Sequence, residues 1–221
     1  MTSAAWRRSG FIDESVVAGL PEWMSPLIDA VPTVTTGEVT RFAPTDGEGR
    51  HAAVLILFSA ERDVVLIERA RGGAVHSGQP AFPGGAVEPH DADAQAAALR
   101  ESREEIGVDP DAVTIFGLFP DLWVPVSDFV VSPVLGFLDR DASLSVQDPT
   151  EVSRVERVAL VTLSDPANRV TVVHPSGYRG PGFTVHDMLV WGFTAGVLDS
   201  MLDKAGWSTP WPVEQEVAVE L

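Results

Sequence analysis

A chain of 221 residues, 45 % of them hydrophobic and 21 % charged, is long enough to fold as one domain around a substantial core. Its 15 basic and 32 acidic residues give a net charge of −17, with Lys204 the one lysine, and such a surface repels phosphate backbones, which argues against nucleic-acid binding. The absence of cysteine excludes disulfides, thiolate metal ligands and a cysteine nucleophile, and no uncharged apolar run approaches the roughly 18 residues of a membrane span.

The N-terminal stretch MTSAAWRRSGFIDES has no apolar signal core, so a cytoplasmic protein with no membrane partner is the simplest reading. Residues 1–50 combine a predicted helix over Pro21 to Ala30 with a Thr/Val stretch, Thr33 to Phe42, and a Gly/Asp loop, Asp46 to Gly49. They are expected to form an N-terminal extension packed on the domain of residues 51–221. Two apolar runs follow, Ala52 to Phe58 and Val64 to Ile67, and the polar residues 59–63 between them read as the turn of a hairpin. A polar, Gly-rich segment runs from Arg69 to Gly85. The next stretch, DADAQAAALRESREEIGV, carries a helix signal: Asp91 or Asp93 can cap its start, alanines and Leu99 favour it, and Gly107 can end it in a left-handed turn. Strands are predicted over Ala112 to Phe119, Phe129 to Leu138, Val155 to Thr162 and Val170 to His174, and a second long helix over Asp187 to Ala205. The tail from Trp207 is rich in Trp and Pro, then acidic. The whole reads as one α/β domain.

Chemistry concentrates on the first long helix. Glu101, Glu104 and Glu105 are three and four residues apart, so all three project from one helical face. Arg100 stands four residues before Glu104 and can pair with it, which offsets part of the repulsion. A divalent cation would neutralise the rest, and Mg²⁺ favours carboxylate oxygens together with water and phosphate. Upstream, Phe82-Pro83-Gly84-Gly85 is a tight loop whose glycines permit close backbone approach and free a carbonyl for the same ion. A solvated acidic face with an ion pair is the bland alternative on the carboxylates alone, and the glycine loop at its fixed distance is what tells against it.

Gly85, Asp91 and the run Arg100-Glu101-Ser102-Arg103-Glu104-Glu105-Ile106-Gly107-Val108 resemble the Nudix box. Three departures stand out: Asp91 in place of the usual Glu, Ser102 in place of the usual hydrophobe, and one extra residue between Asp91 and Arg100. That extra residue is shared with the subgroup resembling coenzyme A pyrophosphatases, and the preceding segment resembles the same subgroup at Leu66, Arg69, Ala70, Gly78 and Phe82 to Gly85. Val65 is a mild change there, Ile67 replaces Thr, and Ala74 replaces an Arg that would meet a substrate phosphate. Further matches, Gly117-Leu118, Val131 to Val134, Glu151-Val152 and Val190 to Ala195, extend the likeness over roughly residues 50–205.

The resemblance implies a Nudix α/β/α sandwich with a mixed β-sheet between helices, and metal-dependent hydrolysis of a diphosphate linkage with Mg²⁺ or Mn²⁺. For coenzyme A or acyl-CoA the products would be 4′-phosphopantetheine (or its acyl form) and adenosine 3′,5′-bisphosphate. It makes Glu101 and Glu105 the metal ligands, with Glu104 the third and the Gly84 carbonyl an extra one. Arg100 would orient the carboxylates, and the general base is Glu151 or its rival Glu104. Arg69 and Arg71 are candidates for the 3′-phosphate, though both read equally well as surface cations. Gln79, with Gly84 and Gly85, is a candidate substrate contact, a loop-stabilising role being the alternative for Gln79. His76 reads as structural and Trp191 and Phe193 as core. Trp207 and Trp211 would pack the tail on the domain or on a second subunit, and a homodimer rests on analogy. Hydrolysis of ADP-ribose, NADH or a dinucleotide is the alternative that Ala74 favours, and a catalytically silent sensing module is a third, opposed by the intact acidic set.

Overall fold

The computed structural model describes residues 9–40, 42, 49–70, 78–139 and 143–219. In chain order these form β1 (Phe11–Ile12), α1 (Ser25–Ala30), α2 (Thr36–Val39), β2 (Arg50–Ser59), β3 (Asp63–Arg69), β4 (Pro80–Ala81), β5 (Gly84–Ala86) and α3 (Ala94–Ile106). There follow β6 (Val113–Leu118), β7 (Leu122–Val124), β8 (Phe129–Leu138), β9 (Val152–Ala159), α4 (Leu160–Ser164), β10 (Arg169–Val173), β11 (Arg179–Val185), β12 (Met188–Val190), α5 (Gly192–Lys204) and β13 (Glu216–Ala218).

The main sheet runs β1-β6-β8-β2-β3-β4, with β5 added beside β2, β7 beside β8 and β9 beside β3. At its centre β2 and β8 lie parallel, in register from Arg50 opposite Phe129 to Ser59 opposite Leu138, while the other pairs are antiparallel, so the sheet is mixed. A second, four-stranded sheet runs β12-β11-β10-β13.

Side chains alternate across the main sheet and build two cores. Ala53, Leu55 and Leu57 of β2, with Val65 and Ile67 of β3, pack against Ala97, Ala98 and Ile106 of α3. Their neighbours Ile56, Phe58, Val64 and Leu66 face the other way, toward Leu27 and Ile28 of α1 and Val197, Leu198, Met201 and Leu202 of α5. This is the expected α/β/α sandwich. Each fully buried Leu or Ile stabilises it by about 1.5–3 kcal/mol. The N-terminal residues Met24, Leu27 and Val31 are wholly buried in the α5-side core, and Trp23 lies against Trp207 with ring centroids 5.8 Å apart.

Several predicted elements come out differently. The helix placed over Asp187 to Ala205 starts at Gly192. His186 and Asp187 both adopt left-handed backbone, φ 48° and 60°, and reverse the chain so that β12 pairs with β11. Trp191 therefore precedes the helix as its cap residue, half-buried and stacked on His174 at 5.5 Å, while Phe193 packs against the core from α5. The strand placed over Val155 to Thr162 runs Val152–Ala159 and gives way to α4. Strands β4 and β5 lie inside the segment read as a polar loop, and β11 and β13 carry no sequence signal strong enough to have been assigned.

Candidate active site

Helix α3 is fixed at both ends. The Asp93 carboxylate accepts the Ala96 N–H at 2.9 Å as its N-cap, and Gly107, at φ 75°, takes the left-handed conformation that stops it. Ser102 is fully buried, and its hydroxyl donates to the Ala98 carbonyl at 2.7 Å, so the polar atom is satisfied within the helix where a hydrophobe was expected.

From this helix the three glutamates fan from interior to solvent. Glu105 is 1 % exposed and accepts the Gly84 N–H at 2.9 Å. The Glu101 side chain is 14 % exposed and that of Glu104 59 %. The glycine pair makes this possible. Gly84 has φ +146°, and a Cβ there would lie 2.3 Å from the Ala53 carbonyl oxygen, so β5 closes on β2 only with glycine. A Cβ on Gly85 would lie 2.6–2.7 Å from the Glu101 carboxylate, which occupies the space the glycine leaves.

Arg100 ties loop and helix together. Its Nε and Nη2 donate to the two Asp91 oxygens, both at 3.0 Å, and Nη2 also donates to the Ala86 carbonyl at 3.0 Å. Nη1 donates to Glu101 at 2.9 Å and to Glu104 at 3.2 Å. The bidentate pairing holds the Asp91 carboxyl below its ordinary range and raises Arg100 above its own. Asp91 is thus the partner of Arg100, and Asp93 is the helix cap.

Burial pushes the Glu105 carboxyl up to about 7, opposed by the Gly84 N–H and by the charge of Arg69, and reinforced by the charges of Glu101 and Glu151. Glu101 is raised for the same first reason, with Arg100 opposing and Glu104 and Glu151 adding to it. Arg69 and Glu151, far apart in sequence, therefore act on one cluster. A bulge at Glu68/Arg69 brings Arg69 opposite Val152, and the Ala70 N–H donates to the Glu151 carbonyl at 2.8 Å. Gln79 joins the same corner, its carbonyl accepting the Arg69 N–H at 3.1 Å while the Gly78 N–H donates to the Arg69 carbonyl at 3.0 Å. Arg71, Ala74 and His76 lie outside the described residues.

The donor set is all hard oxygen, which suits Mg²⁺ or Mn²⁺, and the raised Glu105 carboxyl is a buried group for which a cation would supply the missing charge. Among the described residues, no three acidic or histidine side chains are already gathered as a ligand set. Arg100 occupies an oxygen of Glu101 and one of Glu104.

Sequence reasoning passed over two polar groups. Arg154 pairs with Glu68 at 2.9 Å, next to the bulge, and its Nη1 donates to the His186 carbonyl at 3.1 Å, tying β9 to the β11–β12 turn. The fully buried Arg169 pairs with Asp199 and lies over the rings of Phe183 and Trp211 at 4.4 and 4.7 Å. The tail thus packs on the domain. Neither pairing leaves a spacing signal, because each joins elements far apart in the chain.

The NUDIX domain model matches residues 49–178. An uncharacterized Nudix hydrolase, NudL, from Cronobacter sakazakii is 36 % identical over 166 residues, covering 71 % of this chain and 83 % of the relative. Its Escherichia coli K12 counterpart is 35 % identical over 166 residues with the same coverage. Among solved structures, a Nudix hydrolase from M. smegmatis, RenU, aligns with a TM-score of 0.48 at 16 % identity, covering 76 % of this chain and 99 % of its own.

Proposed function

This chain belongs to the Nudix hydrolase family, and from that premise we propose that it hydrolyses the diphosphate linkage of coenzyme A or an acyl-CoA. The products would be 4′-phosphopantetheine, or its acyl form, and adenosine 3′,5′-bisphosphate. The observation that carries the reading is the spaced set Leu66, Arg69, Ala70, Gly78 and Phe82 to Gly85, whose arginine acts electrostatically on Glu105. A cytoplasmic location and a homodimer belong to the same proposal and rest on the resemblance alone.

Glu101 and Glu105 would hold Mg²⁺ or Mn²⁺, with Glu104 and the Gly84 carbonyl as further ligands. Such an ion acidifies water and polarises phosphoryl oxygens. The residues of the chain supply the rest. Arg100 holds Glu101 and Glu104 in orientation from behind. Glu151, whose charge is felt by both Glu101 and Glu105, is the proposed acceptor of the attacking water's proton. Glu104 is the rival, and one of its oxygens is already engaged by Arg100. Arg69 and Gln79 would meet the substrate phosphates, with Arg71 a further candidate from the sequence alone, and Gly84 and Gly85 would admit close backbone approach.

Ala74, where the subgroup has Arg, supports a second reading, hydrolysis of ADP-ribose, NADH or a dinucleotide. Mass-spectrometric product analysis with Mg²⁺ or Mn²⁺ separates the two. Coenzyme A, dephospho-CoA, ADP-ribose and NADH are compared at equal concentration. Release of 4′-phosphopantetheine and adenosine 3′,5′-bisphosphate is expected. Cleavage of ADP-ribose or NADH alone would replace the first reading with the second.

A further inference from the structure

The bulge that brings Arg69 to the carboxylate cluster is held from the opposite face of the sheet. Along β3, Val65 and Ile67 lie in the α3-side core and Val64 and Leu66 in the α5-side core, so Glu68 continues the α5 face. Arg154 stands opposite Glu68, and the next pair in the ladder is Arg69 with Val152. Ser153 is the residue skipped, and its hydroxyl donates to the Glu68 carbonyl at 3.1 Å. The skip keeps Val152 in the α3-side core. A regular ladder would set Ser153 opposite Arg69 and turn Val152 to the other face. It would also part the Ala70 N–H from the Glu151 carbonyl, which it meets at 2.8 Å.

Arg154 fastens the chain at this point. Its Nη2 lies 2.9 Å from the Glu68 carboxylate, and its Nη1 donates to the His186 carbonyl at 3.1 Å and lies 3.6 Å from Glu156. His186 Nδ1 is in turn 2.9 Å from Glu156. One guanidinium thus joins β3, β9 and the β11–β12 turn through a planar fork that an ammonium cannot match. Its Nε is buried with no acceptor among the described residues, an unfavourable state that the other contacts of the fork must outweigh. On its other edge, Glu68 pairs with Pro80 of β4, whose carbonyl accepts the Thr194 hydroxyl from the first turn of α5 at 3.3 Å.

We propose that Arg154, through its pair with Glu68, is a positioning residue that sets Arg69 and Glu151 beside the carboxylate cluster. The proposal rests on the hydrolase reading for the role of Arg69 as a phosphate contact. Loss of Arg154 also removes a positive charge, which by itself weakens anion binding. Glu68 separates the two effects. Glu68→Gln removes a negative charge, so electrostatics alone would tighten anion binding, whereas loss of the clamp weakens it.

The test is calorimetric titration of the full-length protein, in Mg²⁺, with methylenediphosphonate, a diphosphate mimic that water does not cleave. Arg69→Ala should weaken binding about tenfold or more, the scale of a charged hydrogen bond. Arg154→Met, which keeps the apolar stem, and Glu68→Gln should each weaken it about three- to tenfold. In the Arg69→Ala background the same changes should cost less than about twofold, because the residue they position is gone. Arg154→Lys should retain more affinity than Arg154→Met. Circular dichroism establishes which variants keep the fold, and Glu68→Gln carries the test alone if Arg154→Met does not. Tighter binding by Glu68→Gln, equal losses with and without Arg69, or a wild type that binds no better than Arg69→Ala overturns the proposal. Binding is read without turnover, so failure to hydrolyse any diphosphate would sink the hydrolase reading while the cycle still decides the role of Arg154.

Discussion

At the residue scale, two positions carry the site's geometry and its charge. Gly85 leaves the volume that the Glu101 carboxylate fills, and a methyl group there would lie 2.6 Å from its carbon. The flexible end of Glu101 can move aside, so Gly85→Ala should cost less than about 1 kcal/mol of stability. It should lower kcat/KM at least about tenfold, because a displacement of an ångström at a proposed metal ligand is expensive in rate. Urea denaturation beside steady-state kinetics checks both halves, and unaltered kinetics would remove Glu101 from the metal site. Glu105 gives a pH prediction. Its folded value near 7 exceeds the ordinary glutamate value of 4.5, so between these pH values the folded chain holds a proton that the unfolded chain releases. Metal-free stability should therefore fall as pH rises through that window, by up to roughly 3 kcal/mol. Glu105→Gln, which cannot titrate, should lack this component and also lose turnover with its fold intact. Thermal unfolding of both proteins from pH 5 to 8 in chelator measures it, and parallel curves would refute the buried-carboxylate account.

At the scale of elements, Arg100 joins α3 to the turn after β5 through a planar fork that lysine cannot reproduce. Arg100→Lys leaves the nearly buried Asp91 (side chain 3 % exposed) short of a partner. It should cost about 1–3 kcal/mol and reduce turnover by a factor of about ten or more. Equal denaturation midpoints would show that the clamp does not hold the loop. The helix itself was legible from residues: Asp93 and Gly107 mark its ends, and the acidic spacing defines its functional face. The start of α5 was not. His186 and Asp187 at φ 48° and 60° form a tight turn without the usual glycine, and an apolar run alone does not tell a buried strand from a helix.

Across the whole molecule, the N- and C-terminal segments belong to the α5 side of the sandwich. Trp207 packs on Trp23, Trp211 covers the fully buried Arg169, and β13 extends the second sheet. Asp199→Asn would leave that guanidinium without its counter-charge and should destabilise the protein by about 2–3 kcal/mol. Because Arg169 lies on the far side from α3, kcat/KM for the native substrate should hardly change at a temperature where the variant is folded. Chemical denaturation and kinetics at 20 °C together test this, and a catalytic loss without a stability loss would contradict it.

What the sequence determined by itself was the local chemistry. The glycine loop, the helix with its caps and the carboxylates at i, i+3 and i+4 all lie within about two dozen residues, so spacing alone encodes their geometry. The apolar runs of β2 and β3, with the polar residues 59–63 between them, likewise announced a hairpin. Tertiary structure alone decided which distant groups share the site. A bulge at Glu68/Arg69 and the pairing of β3 with β9 bring Arg69 and Glu151 to Glu105. Strand pairing over such separations is fixed by the collective burial of both sheet faces, and no short window of residues contains that information.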